Sequence, residues 1–121
     1  MELIGFFFKL SSTLKLYHFS TNTYSRHISS GDLYDKVIET TDTFMEVYFG
    51  KYGKGSISSM ECSADLLNDS DIVAFLKEAI MFLNDIVKNG YLKGTDTDLL
   101  NIRDDLVGNI NRTLYLFRFK N

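Results

Sequence analysis

Proline is absent from all 121 residues of this chain, and that absence constrains its fold more than any residue it contains. Proline removes a backbone donor and interrupts helix interiors, so no position here is forced to end a helix. Apolar residues then recur every three or four positions in four long stretches, the period of one helix face. Leu3, Phe7, Leu10, Leu14 and Tyr17 predict a first helix over roughly residues 2–20. Tyr34, Val37, Ile38, Thr41, Phe44, Met45 and Tyr48 predict a second over about 30–49, opened by Ser29 and Asp32 as a capping box. Ile72, Phe75, Leu76, Ala79, Ile80, Leu83, Ile86 and Val87 predict a third, capped by Ser70 or Asp69 and closed at Gly90. Leu99, Ile102, Leu106, Ile110, Leu114 and Phe117 predict a fourth over about 96–118, with Thr95 and Asp98 as a second capping box.

Two segments fall outside these patterns. Residues 20–31 are polar, with threonines, Asn22 and Gly31, and are expected to form a connection. Residues 51–69 follow Gly50 and include Gly53, Gly55 and several serines; a longer loop is expected, with a short helical turn around 62–67. The expected fold class is all-α, a four-helix bundle forming one domain over 1–121. The central connection is long enough for a crossover that leaves helices two and three parallel, though length alone also admits an up-down order.

Composition narrows the function. Apolar residues make up 45% and charged residues 24%, as in ordinary globular domains. The net charge of −3 argues against nucleic-acid backbone binding as the main activity, and only Arg118 and Lys120 place basic residues at the chain's end. Cys62 is the single cysteine, so neither an intramolecular disulfide nor a thiolate metal cage can form, and a free thiol suits the cytoplasm. No histidine lies near it to activate it as a nucleophile. The longest fully apolar stretch lies near residues 5–8, too short to span a membrane, and a first helix that starts almost at once leaves no room for a targeting arm. Phosphate-loop, nucleophile-elbow and zinc-finger spacings are missing.

The chemistry is concentrated between Tyr17 and Gly53. Both histidines, His18 and His27, lie there, and Asp42 and Glu46 stand four residues apart, on one helix face. Imidazoles with carboxylates form a mixed nitrogen and oxygen donor set suited to a borderline or hard cation. Asp42 sits at the edge of the apolar stripe, four residues after Ile38 and three before Met45. The alternative is a solvated acidic helix face preceded by two unrelated histidines.

The run His27-Ile-Ser-Ser-Gly-Asp-Leu-Tyr34, followed by Asp42-Thr-Phe-Met-Glu46, resembles the second helix of Dps proteins, small ferritin-like iron-storage proteins. The Leu-Tyr six and seven residues after the histidine, and the Asp-x-x-x-Glu fifteen residues after it, keep the Dps offsets. His18 resembles the earlier Dps histidine, with Phe19 where Dps usually has Trp and a shorter gap between the histidines. The resemblance implies a ferritin-like bundle with an intersubunit ferroxidase site: His18 and His27 from one chain, Asp42 and Glu46 from a neighbour, and iron as the metal. Over most of its length the chain also resembles an uncharacterised family of small proteins of large DNA viruses and bacteriophages, through LKLYHFSTNTYSRH, DTFMEVYFGKYGK and NIRDDLVGNINRTLYLF. That likeness implies no established activity, and it places the protein in the host cytoplasm or in a virion.

Two functions follow as expectations. One is a ferritin-like metal-binding protein, in its fullest form a ferroxidase. The other is a non-enzymatic viral or phage structural or interaction protein that keeps the bundle. A homo-oligomer is expected in either case, a dimer or a larger closed shell. Phe6, Phe7 and Phe8 span too wide an arc for one seam, and Tyr34, Tyr48 and Phe49 add apolar surface to helix two. Light scattering at micromolar concentration should therefore give at least twice the chain mass; a monodisperse species near 13.9 kDa would exclude the oligomer.

Overall fold

The computed structural model describes residues 2–119; Lys120, half of the basic end noted above, lies outside them. Four helices follow one another: α1 (Glu2–Ser20), α2 (Tyr24–Tyr52), α3 (Asp71–Asn84) and α4 (Thr97–Leu116). There is no strand among the described residues. The chain is an all-α bundle.

Side-chain contacts at the two ends fix the helix directions. At one end the last turn of α1, the first turn of α2, the residues before α3 and the end of α4 converge. The Tyr17 hydroxyl donates to Asp69 Oδ1 at 2.6 Å. Arg26 Nη1 donates to the Tyr17 oxygen at 3.1 Å and to the Asp69 carbonyl at 2.6 Å. The Arg26 guanidinium also lies 4.7 Å from the ring centroid of Phe117, a cation–π contact. Helices α2 and α3 therefore leave from the same end and run parallel, while α1 and α4 arrive there. At the far end Lys51 and Tyr52, closing α2, meet Asp96, opening α4. Residues 53–70 must travel back along the bundle, and they do so beside α1. Lys9 pairs with Asp65 at 3.2 Å, and the Asp65 N–H donates to Thr13 Oγ1. Met60 and Leu67 dip partly into the core on the way. This is the crossover that length alone could not establish.

The core follows the periodic positions. Leu3, Phe7, Leu10, Leu14 and Tyr17 of α1 are essentially solvent-free, as are Val37 and Phe44, Ile72, Leu76 and Leu83, and Leu99, Leu106 and Ile110. The three adjacent phenylalanines divide their roles. Phe7 is in the core, Phe6 stacks on Phe82 at 4.1 Å, and only Phe8, 42% exposed, faces outward. Tyr17 is fully buried and so unavailable to a partner. Ile38, expected inside, is 40% exposed, and Leu33 takes the inward position. No helix is long and apolar enough to cross a membrane among the described residues.

Several boundaries differ from the sequence expectation. The connection expected over 20–31 shrinks to residues 21–23, because α2 begins at Tyr24. Ser29 caps nothing: it is buried inside α2 and its hydroxyl donates to the Ser25 carbonyl. Burial of Ser29 and Ser30 against α1 outweighs their weak helix propensity. The start of α3 is capped by Asn68, whose Oδ1 accepts from the N–H groups of Ser70 and Asp71. α3 itself ends at Asn84; Ile86 remains buried in the turns that follow, and Gly90 adopts φ +83°. Thr95 is exposed, and Asp96 instead ties the start of α4, accepting from the Lys93 N–H at 2.8 Å. No helical turn forms over 62–67. Arg103 serves structure. It pairs with Asp104 and donates to the Leu83 carbonyl at the end of α3.

Asp96 is buried and held well below the usual carboxylate range, first by Lys51 (2.8 Å), then by the Tyr52 hydroxyl and the Lys93 N–H. Lys51 is pushed upward by the same contact and by Asp98. A depressed carboxylate stabilises the fold above its unfolded value of about 4 and loses that contribution as pH falls toward the folded value. Asp96→Asn should thus lower the urea midpoint at pH 7, and its deficit relative to the parent chain should shrink toward pH 3. A deficit independent of pH would show that the ion pair is not what Asp96 contributes.

Candidate functional site

The three-residue turn between α1 and α2 presses the last turn of one helix against the first turn of the next. The Thr21 N–H donates to the Tyr17 carbonyl and the His27 N–H to the Thr23 carbonyl, both at 2.9 Å, so neither helix end frays. His18 and His27 meet across this hairpin. Their rings stack with centroids 3.9 Å apart and planes inclined by 16°. Each ring also bonds to the backbone of the other residue: His18 Nδ1 to the His27 carbonyl at 2.6 Å, and His27 Nδ1 to the His18 carbonyl at 2.8 Å.

A carbonyl only accepts, so each Nδ1 must carry the hydrogen. In the neutral ring the lone pair is then on Nε2. No described residue hydrogen-bonds either Nε2. An imidazole whose Nδ1–H is anchored on a carbonyl while Nε2 is unpartnered has the tautomer and orientation that metal-ligating histidines require. Phe19 and Tyr24 flank the stack, with ring centroids 5.6 Å from His18 and 6.2 Å from His27.

Gly31 makes this stacking sterically feasible. It lies one turn beyond His27 on α2, and the His18 ring occupies the space over its Cα. A Cβ built on Gly31 would fall 2.9 Å from His18 Cε1 and 3.0 Å from Nδ1. The sequence expectation placed Gly31 in a connection and missed it as part of the site. The glycine in HISSGDLY was the available signal, since glycine costs a helix stability relative to alanine and a packing reason can account for it, though the helical Gly5, Gly50 and Gly108 meet no neighbour.

Asp42 and Glu46 share one face of α2, as their spacing requires, and both are exposed. Neither belongs to an ion pair among the described residues. Asp42 comes fifteen residues after His27 on the same helix, so about 22 Å of helix axis separates them. One chain brings the two histidines together and the two carboxylates together, but not the two pairs. Among the described residues no group of three or more His, Cys, Asp or Glu side chains could hold a metal within one chain.

A family model matches residues 18–117, and its description is a family of unknown function, DUF5856. The matched span takes in His18, His27, Asp42 and Glu46. Neither the curated proteins nor the solved structures contain a match to the chain.

Gly31→Ala should displace the His18 ring, break its bond to the His27 carbonyl and cost about 1–3 kcal/mol, as overpacking does. The readout is imidazole nitrogen shifts by NMR together with urea unfolding. The parent should show both rings protonated on Nδ1, and the variant should lose that pattern for His18. An unchanged tautomer and stability in the variant would contradict the packing described.

Proposed function

The chain belongs to that family of unknown function, and we propose that it is a ferritin-like metal-binding protein whose site is completed between two subunits. The observation that carries this is the reciprocal anchoring of His18 and His27, which leaves the Nε2 lone pair of each stacked ring without a partner among the described residues. Asp42 and Glu46, unpaired and one turn apart, supply oxygen donors of the kind that complement imidazole around iron(II). The parallel α2 and α3, joined by one long crossover, support the ferritin-like architecture.

Separation of the two halves along α2 gives the subunit arrangement. A two-fold axis crossing α2 midway between His27 and Asp42, at Tyr34 and Asp35, sets the histidines of each chain opposite the carboxylates of the other. Symmetry then makes two equivalent sites. Ile38, 40% exposed within about a turn of that midpoint, offers apolar contact for such a pair. Iron held there would supply the chemistry of oxidation by oxygen or peroxide. The chain's own residues contribute ligation and orientation: Nε2 from each imidazole, fixed by the opposing carbonyl, and carboxylate oxygens from Asp42 and Glu46. A second reading keeps the bundle as an interaction protein without metal. It is favoured by the fact that the four donors do not meet in one chain.

Mixed subunits separate the two. Chains carrying His18→Ala with His27→Ala, and chains carrying Asp42→Ala with Glu46→Ala, should each bind little iron(II) alone. Co-expressed, they should form mixed dimers that regain about one of the two sites, because one interface then holds four intact donors. Iron bound per dimer, with helix content monitored by circular dichroism, is the measurement. Undiminished binding by the carboxylate variant, or no recovery in verified mixed dimers, would exclude the intersubunit site.

A further inference from the structure

The groove between α3 and the end of α4 reverses the charge of the chain as a whole. Acidic residues outnumber lysine and arginine by 16 to 13 overall. Yet Arg26, Lys77 and Arg118 line this groove, and no carboxylate does. Beyond Asp105 the chain carries no acidic side chain at all. Lys77 and Arg118 are exposed and form no ion pair among the described residues. Arg26 adds a fixed charge from below: its side chain is 16% exposed, its direction is set by Tyr17 and Asp69, and the Asp69 carboxylate is 3.9 Å away.

Apart from Asn111, the rest of the groove is apolar and aromatic. Val73 and Leu114 form its floor with Phe117. Tyr115 stands at its edge, 54% exposed, with the Arg118 guanidinium 6.0 Å from its ring centroid. Phe119 packs edge-on against Tyr115 at 5.2 Å and braces the ring. The volume, about 410 Å³, is that of a small-molecule site.

We propose that this groove binds a mononucleotide, with the base against Tyr115 and the phosphates between Lys77 and Arg118. Cations matched to phosphate oxygens make charge-assisted hydrogen bonds, and an exposed tyrosine ring is a stacking surface for any base. Free phosphate leaves the apolar floor and aromatic edge without a role. A polynucleotide would gain little beyond the groove, since the chain as a whole carries a net charge of −3. A ligand that ends after two or three phosphates matches the extent of the positive charge. The groove shares no residue with the histidine pair, so the assignment stands apart from metal binding.

The test is fluorescence anisotropy of a labelled nucleoside triphosphate titrated with the full chain, with pyrophosphate and a single-stranded oligonucleotide as competitors. Saturable binding is expected, weakened roughly tenfold or more by Lys77→Glu or Arg118→Glu. Tyr115→Ala should weaken the triphosphate and leave competition by pyrophosphate unchanged. All three side chains are on the surface, so circular dichroism should not change; Lys77→Gln and Arg118→Gln replace any variant that loses helix. Absence of saturation, equal binding by the charge-reversed variants, or an oligonucleotide preferred to the mononucleotide would overturn the assignment.

Discussion

Arg26 holds the bundle's architecture at a single point. Its guanidinium touches Tyr17 from α1, the Asp69 backbone ahead of α3, and the Phe117 ring at the end of α4, while its own backbone belongs to α2. Most of residues 53–70 are exposed and contribute little packing, so the crossover relies at that end on a few polar contacts: Arg26 to the Asp69 backbone, and Tyr17 and Thr21 to the Asp69 carboxylate. The buried Tyr17 hydroxyl shares Asp69, and burial followed by that hydrogen bond raises the hydroxyl's pKa, keeping it a donor. Lys51 and Asp96 play the corresponding part at the far end, joining α2 to α4 where Arg103 also satisfies the Leu83 carbonyl at the end of α3.

From that tie the histidine pair follows almost geometrically. Tyr17 and Arg26 are anchored together, and His18 and His27 are their immediate neighbours in the chain. Fixing the first two residues across the α1–α2 turn brings the next two face to face. The histidine geometry is thus supported by a buried polar cluster and does not rest on the three-residue loop alone. Sites held by locked neighbours keep their geometry better than sites on free loops.

Legibility in the sequence was uneven, for physical reasons. The four apolar stripes marked the helices and nearly all of the core, because burial at period 3.6 is what makes these helices stable. The start of α2 was not legible. The polar run reads as a connection with Ser29 as a cap, yet it is helical: Ser29 and Ser30 are buried by the packed bundle and their hydroxyls donate to carbonyls three or four residues back, while Ser25 donates to the Phe119 carbonyl. Local propensity carried no trace of that cover. The sequence pattern assigns the start of α3 to Ser70 or Asp69 where Asn68 caps it, and the start of α4 to Thr95 where Asp96 holds the N-cap position and bonds back to Lys93, since several capping-competent residues stand side by side and only the fold selects among them. His18, His27, Asp42 and Glu46 were visible as residue types at telling offsets. The resemblance already implied their division into two pairs, and the single unbroken α2 gives the physical reason, holding His27 and Asp42 fifteen residues apart on one rod.

The nine-residue spacing of the histidines has a consequence for how the molecule assembles in time. Their mutual backbone bonds close a loop of nine residues, whereas the Tyr17–Asp69 bond closes one of 52. Short loops cost less entropy to close and form sooner than long ones. The α1–α2 hairpin can therefore be complete, imidazoles stacked, while the segment that leads into α3 is still searching for Asp69's place. The crossover then docks onto a surface already built, and the slow step of folding becomes the capture of a long, exposed segment by a finished hairpin.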